Sequence, residues 1–238
     1  MTACADDWLQ KDGFLVSAGM SALGLRHGAT TRSLGDMKDA SRRRAAAAKL
    51  GLPEPLTLKQ VHGVVTHRAS REAQGMEGDG WTLGPGDEAL CVGVYVADCL
   101  PLYLWSADGR YAGVFHAGWK GMAAGMPVKA VEALVARGAV PARLHASFGP
   151  HIGVDAYTVG LEMEASFPAS SFSRRAEGLH LDLDADARRQ LKAAGLRAAA
   201  IASAAPCTSS NPDLFFSFRR DKQDARMLAL LSLSPRTL

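Results

Sequence analysis

The apolar positions along the chain fall into two periods. An unbroken run from Leu90 to Val96 predicts a buried strand. Leu102 to Trp105 and Tyr111 to Phe115 flank the turn Ser106-Ala107-Asp108-Gly109-Arg110, which predicts a β-hairpin. Arg143 to Phe148 reads as a further short strand, and the tail as three more: Ala198 to Ala202, Leu214 to Phe218 and Met227 to Leu233. Leu56 to Val65 reads as a strand pair, or one bent strand, broken at Gly63. The helical period appears from Val128 to Arg137, where Val128, Val131, Leu134 and Val135 share a face and Gly138 stops the helix. Ser41 to Leu50 predicts a helix capped by Ser41 and ended by Gly51 with Pro53, and Asp184 to Ala194 one ended by Gly195. Gln74 to Gly86 is rich in glycine and reads as a loop. Strands and helices intermix with no shift in composition, so residues 1–238 are expected to form one α/β (α+β) domain.

Composition narrows the class. Hydrophobic residues at 47% and charged residues at 21% are those of an ordinary globular chain and exclude a disordered or fibrous one. A net charge of +3 is too small to point to nucleic acid. The apolar stretch Ala89 to Trp105 holds Asp98 and Pro101 and is too short to span a bilayer. Met1 to Lys11 has neither the basic nor the apolar region of a leader, so a cytoplasmic protein is expected. Cys4, Cys91, Cys99 and Cys207 are then expected as thiols or metal ligands. The chain lacks a phosphate-binding Walker loop, a dinucleotide glycine fingerprint, a Gly-x-Ser-x-Gly elbow and a His-Glu-x-x-His helix. Pro206-Cys207 lacks the second cysteine of the zinc nucleobase deaminases.

The hairpin carries the candidate chemistry. Pairing Trp105 with Tyr111 sets Cys99 against Ala117, next to His116; a slip of one place sets Cys99 against His116 itself. Pro101 cannot donate to the ladder, so a bulge or an edge is expected nearby and the register stays open between these two. Either way a thiol and an imidazole meet at the open end of one hairpin, as metal ligands or as a nucleophile and its base. A lone cysteine on an apolar strand is more often a small buried hydrophobe, and the pairing weighs against that reading.

Several short motifs occur in order: Lys59-Gln60-Val61-His62-Gly63, Ala97-Asp98-Cys99-Leu100-Pro101 and His116-Ala117-Gly118-Trp119-Lys120-Gly121. Gly149-Pro150-His151-Ile152-Gly153, Tyr157-Thr158-Val159-Gly160, Cys207-Thr208 and Phe215-Phe216-Ser217-Phe218-Arg219-Arg220-Asp221 follow. From about Arg26 to the C-terminus the chain resembles the YfiH family, long labelled polyphenol oxidase or laccase-domain proteins and now described as purine nucleoside phosphorylases. The resemblance implies a layered α/β/β/α sandwich related to cysteine hydrolase-like toxins. It implies a zinc ion, with copper as an alternative, held by His62, Cys99 and His116. Three protein ligands leave a fourth position open, the pattern of a catalytic site. It also implies phosphorolysis of adenosine, inosine and S-methyl-5'-thioadenosine to free base and ribose 1-phosphate, together with adenosine deamination. The expected partners are small nucleosides and phosphate, taken up by a monomer.

Arginine forks suit phosphate. The resemblance places Arg26 and Arg219 against phosphate or sugar, and Asp98 or Asp79 is expected to move the proton of deamination. Trp119 is a candidate to stack on a purine, and His151 to add polarity to the pocket; His27, His67, His145 and His180 are expected as packing or surface residues. The chain departs from the family pattern at Gly28-Ala29-Thr30, in the shortened Ser33-Leu34-Gly35, at Lys120, at Asp155-Ala156, at Thr158 and in the Asp79 to Thr82 spacing. Three other readings compete. One is a metal-free hydrolase of amides or esters with Cys99 as nucleophile and His116 as base. Another is a copper-dependent phenol oxidase, disfavoured by seven scattered histidines with no His-x-His pair. The last is a closed zinc module with Cys91 or Cys207 as a fourth ligand.

Overall fold

The computed structural model describes residues 8–202 and 205–233. Cys4 and most of the stretch Met1 to Lys11 lie outside the described residues. A five-stranded sheet holds β1 (Trp8–Lys11), β2 (Phe14–Ser17), β3 (Arg26–Thr30), β14 (Met227–Ser232) and β6 (Val92–Val96), in that order, with every neighbouring pair antiparallel. A six-stranded sheet runs β13 (Ile201–Ala202), β9 (Leu144–Phe148), β7 (Leu100–Ser106), β8 (Ala112–Ala117), β5 (Gly80–Leu83) and β4 (Thr66–Arg68). A small third sheet holds β10 (Thr158–Val159), β12 (Gly178–Leu181) and β11 (Phe172–Arg175). The helices are α1 (Ala18–Ala22), α2 (Ala40–Lys49), α3 (Trp119–Ala123), α4 (Met126–Val135), α5 (Leu183–Ala193) and α6 (Phe218–Asp221). The chain thus has a mixed α/β fold with several sheets.

The alternation of β7 divides the core. Leu102 and Leu104 pack in one cluster with Met126, Val131 and Leu134 of α4 and Ala187 and Leu191 of α5. Tyr103 and Trp105 point the other way, into a cluster with Val92, Val94, Ala229 and Leu231 of the five-stranded sheet. On the far side of that sheet, Phe14, Leu228 and Leu230 meet Ala46 and Ala47 of α2. All seven residues of β7 are buried because both of its faces are covered.

Four expectations need correction. Leu56 to Val65 forms no strand; its backbone groups are met singly, Leu56 N–H by Cys91 C=O at 2.8 Å and Lys59 N–H by Met76 C=O at 2.9 Å. The glycine-rich stretch is not all loop, since Gly80–Leu83 is a fully buried strand. Gly80 is there for close approach: a Cβ on it would lie 2.3 Å from the Phe115 ring. Leu214 to Phe218 is no strand: residues 214–217 are irregular and lead into α6 at Phe218, whose first turn is capped by the Ser217 side chain. Helix α2 is capped by Asp39 rather than Ser41, its carboxylate accepting from Ser41 N–H at 2.7 Å. Among the described residues no helix is long and apolar enough to cross a membrane.

The hairpin forms, in a register different from both expected ones. Trp105 pairs with Ala112, Pro101 with His116 and Leu100 with Ala117. The turn takes in Tyr111, whose C=O accepts from Ser106 N–H at 2.8 Å and whose N–H donates to Ser106 Oγ at 3.0 Å. One step beyond Leu100–Ala117, Cys99 lies across from Gly118. Side chains two places apart share a face, so Cys99 and His116 are diagonal neighbours on one side of the hairpin. The register with Cys99 against Ala117 would have turned His116 to the opposite face.

Candidate metal centre

Three segments deliver three donors. His116 is buried on β8. Cys99 sits just before β7, after Asp98 in a left-handed conformation at φ 87°. His62 lies in the loop before β4, at φ 60°. The ligand atoms of His62, Cys99 and His116 all lie within 4.8 Å of one another. The two imidazole rings are 4.8 Å apart and cross at 78°.

Asp79, fully buried at the head of β5, orients both histidines. Its Oδ1 accepts from His116 Nδ1–H at 2.8 Å and from His62 N–H at 3.0 Å. Its Oδ2 accepts from Gly63 N–H at 2.8 Å and Val61 N–H at 3.3 Å. The left-handed turn at His62 is what lets successive N–H groups converge on one carboxylate. With Nδ1 held by Asp79, His116 presents Nε2 to the cluster. Burial alone would raise the Asp79 pKa, but the hydrogen bonds from His116 and Gly63 outweigh it and keep the carboxylate ionised.

The donors fit a metal ion. A thiolate with two imidazoles is a set that zinc favours, and donors around a tetrahedral ion at ~2.0–2.3 Å stand roughly 3.3–3.8 Å apart, which the 4.8 Å limit on the three donors accommodates. Gly118 leaves the space open: a Cβ on it would lie 2.9 Å from Cys99 Sγ and 3.0 Å from His62 Cδ2. Gly118→Ala is therefore expected to lower zinc affinity at least ~10-fold, as loss of an orienting contact does, while circular dichroism stays unchanged. An unaltered zinc affinity in a competition titration would show that the glycine has no such role. Among the described residues no fourth thiolate joins the cluster. Cys91 is buried among Phe14, Leu228 and Leu230, where burial pushes its thiol up to about 12. Cys207 accepts from Gly153 N–H at 3.1 Å. The closed module loses its ligand.

Without metal, Cys99 and His116 act on each other. Burial opposes a thiolate at Cys99, but the charge of His116 and hydrogen bonds from both histidines pull the thiol down to about 6. Burial likewise opposes charge on His116, and the facing Cys99 with Asp79 lifts it to about 9. A depressed thiol keeps its nucleophilic form as pH falls, so alkylation of Cys99 in metal-free protein should hold its rate down to near pH 6. An ordinary thiol slows below about pH 8.5. A Cys99 rate that falls tenfold per unit from pH 8 downward, measured by peptide mapping after iodoacetamide, would contradict this.

Two clefts meet at the cluster. The larger, about 660 Å³, includes Lys38, Gln60, Tyr95, Asp224 and Arg226 in its lining. The smaller, about 260 Å³, is lined by Trp119, Ile152, Tyr157, Leu183 and Arg219 among others. His62, Ala97, Cys99 and Phe218 line both. Arg219 donates to Thr158 C=O at 2.6 Å and lies 5.0 Å above the Tyr157 ring.

Other candidates lie elsewhere or act differently. Arg26 stands apart, its guanidinium donating to Gly51 C=O at 2.7 Å, and it lines neither cleft. Asp98 is a clamp: it accepts from Thr208 Oγ1 at 2.6 Å, Arg219 N–H at 2.7 Å and Ser217 Oγ at 3.0 Å. Both oxygens of Asp98 and both of Asp79 are already engaged, which gives the two carboxylates structural roles in place of the expected proton transfer. His151 is buried, donating from Nδ1 to Gly149 C=O at 2.8 Å. His27 and His180 are buried with backbone partners, and His145 stacks on Trp105 at 5.7 Å. Lys38, Tyr95, Asp224 and Arg226 escaped the sequence reading, because no local pattern ties these distant segments together. Gln60, Tyr157 and Phe218 sit inside the quoted motifs and were findable there.

The family model for multi-copper polyphenol oxidoreductase laccase matches residues 18–234. A purine nucleoside phosphorylase of Xylella fastidiosa (strain 9a5c) is 38% identical over 196 residues, covering 76% of this chain and 73% of that protein. An adenosine deaminase from an unknown prokaryotic organism is 34% identical over 141 residues, covering 56% of this chain and 54% of that protein. The crystal structure of YlmD from Geobacillus stearothermophilus superposes with a TM-score of 0.84 at 27% identity, covering 97% of this chain and 100% of that one. With its motifs gathered around one His-Cys-His cluster and the family model matched along most of its length, the chain belongs to the laccase-domain, or YfiH, family.

Proposed function

We propose that this chain is a zinc-dependent purine nucleoside enzyme that splits adenosine, inosine and S-methyl-5'-thioadenosine with phosphate, and also deaminates adenosine. The observation that carries the reading is the open three-donor cluster of His62, Cys99 and His116 where two clefts meet. The names of the similar proteins support it. Zinc, when bound, supplies Lewis acidity and activates water near neutral pH.

The remaining roles belong to side chains. Asp79 holds His116 in one tautomer and fixes the His62 loop. Asp98 fastens the segment bearing Ser217 and Arg219 to the residue beside Cys99, so Arg219 and Phe218 stay over the cluster. Tyr157 and Trp119 offer flat faces to a purine. The disposition of the three core clusters supports an α/β/β/α layering. We read residues 1–238 as one catalytic domain, working as a monomer in the cytoplasm on small molecules.

The test is a nucleoside panel with zinc-loaded protein, with and without phosphate, and product identification. Free base with ribose 1-phosphate, or with its 5-methylthio analogue from S-methyl-5'-thioadenosine, is expected only when phosphate is present, and inosine from adenosine without it. No base release from any nucleoside at full zinc occupancy would end the reading. Activity that survives complete chelation would favour the metal-free Cys99–His116 hydrolase. Oxygen uptake with phenols, restored by copper alone, would favour the oxidase.

A further inference from the structure

The larger cleft carries two cations that the metal cluster does not use. Asp36 Oδ1 accepts from Lys38 N–H at 3.0 Å and Arg226 N–H at 3.0 Å, which pins two distant segments side by side. Asp224 then bridges their side chains, pairing with Lys38 Nζ and, at 2.6 Å, with an Arg226 guanidinium nitrogen. Arg226 also lies 5.9 Å above the ring of Phe218, at the junction of the clefts. The side chain of Asp224 is 68% exposed, against 48% for Lys38 and 25% for Arg226. Exposed ion pairs of this kind are weak, so the carboxylate is readily displaced. A phosphate dianion between the same two cations brings twice the charge and a geometry that matches the guanidinium fork.

The smaller cleft has the opposite character. Trp119, Ile152, Tyr157 and Leu183 give it apolar and aromatic surfaces, and the Arg219 guanidinium there is already held by Thr158 and Tyr157. We propose that Lys38 and Arg226 form a phosphoryl subsite, held ready by Asp224, while the purine lies in the smaller cleft. This rests on the phosphorolysis reading. Nucleophile and leaving group occupy opposite sides of the sugar carbon in a displacement, which two clefts meeting at one junction allow. A phosphate oxygen bonds to C1' as the C1'–N9 bond breaks; the electron pair leaves on the purine, which takes the proton of HPO4 2−. The same subsite chemistry suits inorganic phosphate or the phosphate ester of a nucleotide.

Calorimetric titration of zinc-loaded protein with inorganic phosphate, and separately with adenosine 5'-monophosphate, tests this without turnover. Lys38→Gln and Arg226→Gln are each expected to weaken phosphate binding ~5–10-fold, and Asp224→Asn to tighten it ~3-fold, through the loss or gain of charge-assisted contacts. The phosphate KM should move in the same directions, while Arg219→Gln raises the nucleoside KM and leaves the phosphate Kd unchanged. The proposal is overturned if Asp224→Asn and Lys38→Gln fail to move phosphate binding in opposite directions, or if Arg219→Gln alone weakens it. Dependence seen with the nucleotide but absent with inorganic phosphate would overturn the co-substrate role and assign the subsite to phosphate esters. Phosphate binding in the expected order, without base release from any nucleoside, would retain the subsite and defeat phosphorolysis instead.

Discussion

Cys99→Ala is expected to abolish phosphate-dependent base release, by ~10³-fold or more, because it removes the only thiolate donor of the cluster among the described residues. Bound zinc should fall to substoichiometric levels after dialysis. The fold should survive, since Cys99 is only half-buried and alanine is smaller than the thiol it replaces. His62→Ala and His116→Ala should fail the same assay, with His116→Ala the more destabilising, since it removes the ring partner of the buried Asp79 carboxylate and leaves a gap on β8. Wild-type turnover by any of the three, in protein of measured metal content, would remove the cluster from the chemistry. A loss of activity with zinc binding intact would instead point to nucleophilic use of the thiol.

Asp79→Asn should have the second largest effect, on both stability and metal affinity. The carboxylate accepts four hydrogen bonds, three from the backbone of the His62 loop and one from the His116 ring. An amide offers one acceptor oxygen and turns an NH2 toward donors, leaving at least two of these groups unpaired. At ~1–3 kcal/mol for each buried unpaired group, the loss is on the order of 3–5 kcal/mol. For a chain of this size that lowers Tm by roughly 10 °C. Loss of a partner that orients a metal-bound histidine typically costs ~10–100-fold in metal affinity, and the same is expected here by chelator competition. A variant that melts within a degree of wild type and holds zinc equally well would show that the loop and ring are positioned by something else.

Residues 59–63, 97–101 and 116–121 carried the cluster in plain view, since ligand identity is written in residue type and the motifs are contiguous. Their convergence was half legible. The hairpin turn predicted that Cys99 and His116 approach, but which face each occupies depends on one residue of register. That residue was set by the Ser106 side chain taking Tyr111 into the turn. The strand at Gly80–Leu83 was hidden because glycine signals a loop, whereas here it makes room for Phe115. Arg26 was misplaced because an arginine in a motif says nothing of where its side chain reaches. Asp79 and Asp98 could be named as acids, but not that every oxygen of each was already engaged.

By itself, the order of residues determined the mixed strand and helix content, the long helices and the three donor types, because periodicity and side-chain chemistry are local properties. The tertiary structure alone decided that the His62 loop folds onto Asp79 and that the cluster stands between a cationic cleft and an aromatic one. It also brought Lys38 and Arg226 together from opposite ends of the chain. Such juxtapositions follow from packing and hydrogen bonding between segments far apart in sequence, which no local pattern records.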